Sequence, residues 1–310
     1  VHHESDSWSF DVTAEQHTRP LVPRKGPDFG FDGDVPKYWL DNDPFKTRFF
    51  DAMSLLFPEG EKFFIACVRD FRDQITDLKL KQQVKDFMYQ EGQHGMVHTA
   101  FNERIRAQGV DVDKVLQKQK DIMFGFFRKY FSAKWTLGQT AAAEHMTALM
   151  AHGFFSSGIM SKADPRVRGM YAWHAIEEIE HKAVAYDVLT KVAKAGYLTR
   201  ILSFIQTTFS FPFHVFMVMH HMFKVDGVQN RFGLWLKGLW WLYGWGGLYP
   251  RLMPHYFAYF VPGFHPWKFG DMRIYETWER AFDESNGNAV LAGNAVAAAE
   301  LDARGVALAA

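Results

Sequence analysis

The sequence predicts an all-α protein: a four-helix bundle with one long crossover, followed by aromatic-rich C-terminal helices. Three observations predict it. Glu91-Gly92-Gln93-His94 and Glu178-Ile179-Glu180-His181 are two copies of Glu-x-x-His, a spacing that puts both side chains on one helix face. Around each copy the apolar residues recur at alternating steps of four and three, as on a bundle helix. Two further glutamates, Glu61 and Glu144, fall on stripes of the same kind.

Taken in order, residues 1–44 read as an irregular N-terminal arm rich in Pro, Gly and Asp. Residues 1–20 are polar and contain no apolar signal-peptide core. The first helix begins at Pro44 or Pro58 and runs to Ile75, with the seam Phe57, Glu61, Phe64, Val68, Phe71 and Ile75. Glu59 competes with Glu61, but it is off the seam, which favours Glu61. Asp77 caps the second helix, which runs to Gly109. Its seam reads Leu80, Val84, Phe87, Glu91, His94, His98, Phe101 and Ile105. Gly92 and Gly95 inside it cost about 1 kcal/mol each against Ala, which points to close approach of another helix or a bound molecule. Residues 110–131 are long enough for a crossover and include a short helix from Asp113. The third helix begins near Ser132 and carries Glu144 among small residues (Ala141, Ala142, Ala143, Thr147, Ala148) that leave room beside it. His145 and His152 are off its seam and read as structural. Asp164-Pro165 opens the fourth helix, with the seam Val167, Tyr171, His174, Glu178, His181, Ala185 and Val188.

Buried carboxylates are costly unless paired or metal-bound, so four on core faces need a common partner. One Glu from each of two helices and a Glu-x-x-His from each of two others is the ligand set of the ferritin-like di-metal bundles. The expected metal ligands are therefore Glu61, Glu91, His94, Glu144, Glu178 and His181. A crossover makes the second and fourth helices antiparallel, which brings His98 and His174 to one end of the metal pair as further candidate ligands. Glu177, four residues before His181, is placed to accept that imidazole's other N–H. Glu61, Glu144 and Glu177 are the candidate catalytic carboxylates.

The chain has 310 residues with 35 Lys+Arg and 35 Asp+Glu. A formal net charge of zero argues against a nucleic-acid partner. The single Cys67 excludes an internal disulfide framework and suggests a reducing, cytoplasmic compartment. The expected organisation is an arm over 1–44, a di-metal bundle over 45–195, an aromatic-rich extension over 196–270 and a C-terminal tail over 271–310, whose Ala-rich part, 284–310, reads as a docking helix without chemistry. No charged residue occurs from Ile201 to Phe223, and length alone permits a membrane span. Gln206, Thr207, Thr208, Ser210, Pro212 and three histidines argue instead for an interfacial helix or a helical cap over a pocket.

Phe57-Pro58-Glu59-Gly60-Glu61-Lys62-Phe63-Phe64, Gln90-Glu91-x-x-His94-x-x-x-His98, Glu144-x-x-Thr147-Ala148, Trp173-His174-x-x-Glu177-Glu178-x-Glu180-His181-Lys182 and Phe264-His265-Pro266-Trp267 resemble a bacterial family called predicted metal-dependent hydrolases, over roughly residues 35–270. The resemblance implies a metal site. His174-x-x-x-Glu178-x-x-His181 also resembles the di-iron arylamine N-oxygenases, which implies His174 as a third histidine ligand.

Four carboxylates with two or three imidazoles suit Fe or Mn. The leading expectation is an O2-activating di-iron oxygenase with two Fe ions (Mn or Zn as alternatives) acting on an apolar, aromatic or lipid-like molecule. Its expected partners are that substrate, O2 and an external electron donor. Peripheral membrane contact through 201–260 and a homodimer are compatible with the sequence. The alternatives are a two-metal-ion hydrolase and a ferritin-like iron-handling protein with no organic substrate.

Overall fold

The computed structural model describes residues 21–268 and 272–305; the expectations for residues 1–20 lie outside these. Among the described residues there is no β-strand, only an isolated bridge between Leu40 and Ala163.

Helix α1 spans Pro44–Arg69. The Asp43 carboxylate accepts from Phe45 N and Lys46 N, and Pro44 occupies the first helical position, where its missing N–H costs nothing. Pro58 stands inside α1 and deprives the Ser54 carbonyl of its helical donor. Asn102 Nδ2 from the next helix supplies the bond instead, at 3.0 Å. The helix ends short of the expected Ile75: Phe71 N bonds back to Val68 O, and Arg72–Gln74 forms a 3-10 turn.

Helix α2 spans Leu78–Ala107, capped by Asp77. Ser54 meets His98 and Asn102, while Asp51 meets Arg104, so α1 and α2 form an antiparallel hairpin. The chain then continues through α3, Val112–Lys120, whose cap is Asp111, and a π-helical turn, Asp121–Phe127. This segment runs beside α1 in the same direction. Gln119 reaches Leu56 O, the Phe124 ring lies 6.0 Å from Phe63, and Arg128 pairs with Asp70 at 2.9 Å.

Helices α4, Ala133–Ser156, and α5, Pro165–His181, are capped by Ser132 and Asp164. Thr147 bonds to Glu178, and His181 lies 3.3 Å from Glu144, which makes a second antiparallel hairpin. The hairpins pack so that His98 faces His174 and Gln90 faces His181, while Phe50 packs on Phe154. Hence α2 runs antiparallel to α5 and parallel to α4. Only a connection that traverses the length of the bundle joins two hairpins in this way, and 108–132 is that connection.

Helix α6, Tyr197–Val225, lies against α4 and α1. Trp135 Nε1 donates to Gln206 Oε1 at 2.8 Å, and Arg48 grips Asp226 with two bonds of 2.8 Å. Gly138 has no room for a side chain, since a Cβ there would fall 2.6 Å from Ser203 Oγ. Helices α7, Phe232–Tyr243, and α8, Leu248–Ala258, follow; Trp235 and Trp241 of α7 pack edge-on against Phe45. The chain returns to the far end of α5, where Phe264 O accepts from Tyr186 Oη, His265 lies 3.1 Å from Asp187 and the Lys182 ammonium sits 4.5 Å over the Trp267 ring. Helices α9, Arg273–Glu284, and α10, Ala289–Ala303, dock on α5; a Cβ at Gly293 would lie 2.8 Å from Gly169 Cα.

Candidate metal centre

Four helices deliver seven side chains to the middle of the bundle: Glu61 from α1, Glu91 and His94 from α2, Glu144 from α4, and His174, Glu178 and His181 from α5. All seven are buried. The ligand atoms of six converge in two groups, Glu61 with His94 and His174, and Glu91 with Glu178 and His181, each within 4.8 Å of one another; the seventh, Glu144, belongs to neither group but stands beside the second, its Oε2 3.3 Å from His181 Nε2. Glu178 lies between the groups. Its Oε1 is 2.9 Å from His174 Nε2 and 3.7 Å from His94 Nδ1, and its Oε2 is 3.6 Å from His181 Nε2. Gly95 is explained here, because a Cβ would come 3.1 Å from Glu61 Oε2. Gly92 meets nothing within 4 Å, and the structure gives no reason for it. Glu59 pairs with Lys62 at 2.6 Å and stays outside both groups.

Hydrogen bonds orient each imidazole. His94 Nε2–H donates to Glu177 Oε2 at 3.1 Å, leaving the Nδ1 lone pair turned inward. His181 Nδ1–H donates to Gln90 Oε1 at 3.0 Å, leaving Nε2 turned inward. The third histidine is set by a chain of bonds. Ser54 O–H donates to Asn102 Oδ1 at 2.9 Å, so Ser54 Oγ accepts from His98 Nδ1–H at 2.8 Å. His98 Nε2 must then accept from His174 Nδ1–H at 2.7 Å, which frees His174 Nε2 to face the site. Such outer bonds fix the tautomer of a metal-binding imidazole.

The electrostatics follow from burial and from like charges held close together. Burial, then the charges of Glu91 and Glu178, push Glu61 and Glu144 well above the ordinary carboxylate range. Glu91 is also raised by burial, against the pull of His181. Burial opposes ionisation of Glu178 too, but the imidazoles of His181 and His174 outweigh it and hold it well below. Burial and the nearby His174 lower His94, whereas Glu144 and Glu178 raise His181 against its burial. Both oxygens of Glu61, Glu91 and Glu144 lack hydrogen-bond partners, as do His94 Nδ1 and His181 Nε2. His181 Nε2 is 3.1 Å from Glu91 Oε1 but without hydrogen-bond geometry. Buried polar atoms are rarely left so. Lone pairs converging on shared points suit divalent cations, and a mixed carboxylate–imidazole set is appropriate to them.

A cavity of about 110 Å³ reaches the site from one side. Its inner end is Glu61, His174 and Glu178; its walls are Phe57 and Phe64 of α1, Ile122, Met123 and Phe127 of the π-helical turn, Met146 and Met150 of α4, and Phe211 of α6. The wall is almost wholly apolar. π-Helical turns recur at functional sites, and this one forms a pocket wall. Glu91, Glu144 and Glu177 do not line the cavity.

The structure departs from expectation at two residues. His98 joins neither group; both its nitrogens are engaged, and it acts by orienting His174. Glu177 bonds to His94 rather than His181, because on the antiparallel α2 it is His94 that stands level with it, one turn before His181. The residues missed by sequence reasoning all lie behind the ligands. Arg24 of the arm bonds to Glu180 at 2.8 Å and reaches Glu177 at 3.5 Å. Gln90 Nε2 donates to Glu180 Oε2 at 2.8 Å. Tyr275 of α9 also donates to Glu180, at 2.9 Å, so the start of the C-terminal tail braces the site. Gln90 was legible as the neighbour of Glu91 in a motif; nothing in the sequence marks Arg24 or Tyr275.

The profile of a family described as "Predicted metal-dependent hydrolase" matches residues 23–270. No curated protein and no solved structure matches the chain. The family match corrects the leading expectation for function. It names metal-dependent hydrolysis, the reading given above as an alternative, and the O2-activating oxygenase reading is withdrawn.

Proposed function

The chain belongs to the predicted metal-dependent hydrolase family, and we propose that it is a two-metal-ion hydrolase of apolar esters or amides. The carrying observation is the set of partnerless inward lone pairs at the end of an apolar cavity. Glu61, His94 and His174 would hold the ion nearer the cavity, Glu91, Glu144 and His181 the one behind it, and Glu178 would reach both. Mn, Fe and Zn are the divalent ions that this donor set favours. When bound, such a pair polarises the scissile bond and lowers the pKa of water.

The protein's own groups do the rest. Phe57, Phe64, Met123 and Phe211 bind the apolar part of the substrate and exclude bulk water. Glu61 is the outermost carboxylate on the cavity, and its free oxygen takes up the proton released as water adds to the scissile carbon and returns it to the departing alcohol or amine as the C–O or C–N bond breaks. Glu177 and Gln90 keep His94 and His181 in their ligating tautomers. Thr147 donates to Glu178 and fixes which way that carboxylate faces. The apolar wall disfavours a storage role, in which hydrated ions would have to pass.

The test is a series of 4-nitrophenyl esters of increasing acyl length, assayed with chelated protein and after reloading with Mn, Zn or Fe(II). Metal-dependent hydrolysis that needs no O2 and rises with chain length is expected. Protein that holds about two metals per chain and cleaves none of the series would refute the reading.

A further inference from the structure

Helix α6 is long and apolar enough to cross a membrane by length and composition, yet Phe204, Val215, Met219 and Phe223 on one side are buried against the bundle. A helix packed in this way lies along the protein. Its other side is exposed: Leu198, Leu202, Ile205, Phe209, Phe213 and Met217, with Phe209 73% and Phe213 61% accessible. Their steps of three and four make one stripe, about 28 Å long at 1.5 Å per residue. Contiguous exposed apolar surface of this size marks an interaction site.

Two features say what covers it. The first is charge. From Val188 to Gly270 there are eight Lys or Arg residues and one acid, Asp226, in a chain whose total is zero. Asp226 is itself neutralised by Arg48 and Lys37, while Lys194, Lys224, Lys237 and Arg251 are exposed. This segment also exposes Trp240, Tyr243 and Trp245. Cations together with Trp and Tyr beside an apolar stripe complement an anionic lipid surface, and a second copy would bring like charge against like. The second feature is the cavity mouth. The exposed rings of Phe213 and Phe126 lie 5.7 and 5.4 Å from their cavity-lining chain neighbours His214 and Phe127, which brings the exposed apolar face to the cavity's edge.

We propose that the exposed face of α6 and the segment after it seat the protein on an anionic lipid surface, with the cavity mouth against it. The apolar substrate then enters from lipid without crossing water. This last clause rests on the hydrolytic reading; the docking does not.

Flotation of the full chain with phosphatidylcholine vesicles, plain or with roughly a third phosphatidylserine, tests it. Binding to the anionic vesicles, falling as salt rises, is expected. Phe209→Asp and Phe213→Asp should each weaken it about tenfold, the worth of one buried aromatic ring, with unchanged helical circular dichroism and metal content. Lys237→Glu should weaken it less and flatten the salt dependence. Failure to float with either vesicle, equal flotation with both, or a lipid-free dimer abolished by Phe213→Asp would overturn the docking. Loss of cleavage of a soluble short-chain ester bears instead on the hydrolytic reading.

Discussion

The two Glu-x-x-His copies have the same spacing and unequal surroundings. His94 is backed by a carboxylate, Glu177, and is held below its ordinary pKa by burial and by His174. His181 is backed by a neutral amide, Gln90, and is held above it by Glu144 and Glu178 despite its burial. The group around His94 has two imidazoles and one carboxylate and borders the cavity through Glu61 and His174. The group around His181 is richer in carboxylate and lies behind. A motif repeated in sequence thus yields two different positions, one nearer the cavity and more nitrogen-rich, the other more anionic and enclosed.

Glu178→Ala breaks the comparison outright, because Glu178 is the side chain adjacent to both groups. Both metals and all hydrolysis should be lost together, read by metal analysis and ester cleavage on the same sample; retention of one tightly held ion would show the groups to be independent.

Glu177→Gln against Gln90→Leu sharpens it. Each should cost about 10–100-fold in metal affinity or activity, but at different positions: the first should loosen the ion by His94, the second the ion by His181. Competition with a chromophoric chelator resolves the two, and equal loss of both ions from each variant would contradict the assignment.

Chelation exposes the electrostatics. In the metal-free protein Glu61 and Glu144 bind protons in the folded state that they release when unfolded near their ordinary value of 4.5. His181, raised above 6.5, acts in the same sense. Folded pKa values above the unfolded ones make stability fall as pH rises. His94 and His98 oppose this only below 6.5, where they must shed protons to fold. Lys182, lowered to about 7 by burial, opposes it above that value with or without metal, so as pH rises above about 6.5 the chelated protein should lose melting temperature relative to the metal-loaded protein, whose deprotonated ligands bind metal more tightly. Parallel melting curves would argue against cations as the missing partner.

The smallest effect is expected at Arg24→Met. Arg24 touches no candidate ligand, and its bond to Glu177 is the longest of its three. A few-fold loss of metal affinity, confined to the ion by His94, separates a positioning role from general destabilisation, which thermal melting would report.

Much of this arrangement is legible in the residues. The capped helices, the seams bearing Glu61, Glu91, Glu144 and Glu178, and the length of 108–132 follow from local rules, because helix periodicity ties a side chain's direction to its position. The start of α1 at Pro44, with Pro58 inside it, does not follow; the loss is made good by Asn102, a residue 44 positions away. Nor does the pairing of Glu177 with His94, which depends on the register between α2 and α5.

By itself the sequence determined which side chains point inward, since that is a property of each helix alone. Only the tertiary structure decided which of them touch. It separated the candidate ligands from His98, joined Arg24 and Tyr275 to the site, and put α6 with its apolar stripe beside the cavity. The physical reason is that facing is a short-range consequence of 3.6 residues per turn, whereas contact depends on how whole helices slide and rotate against one another, and that is settled by all their side chains at once.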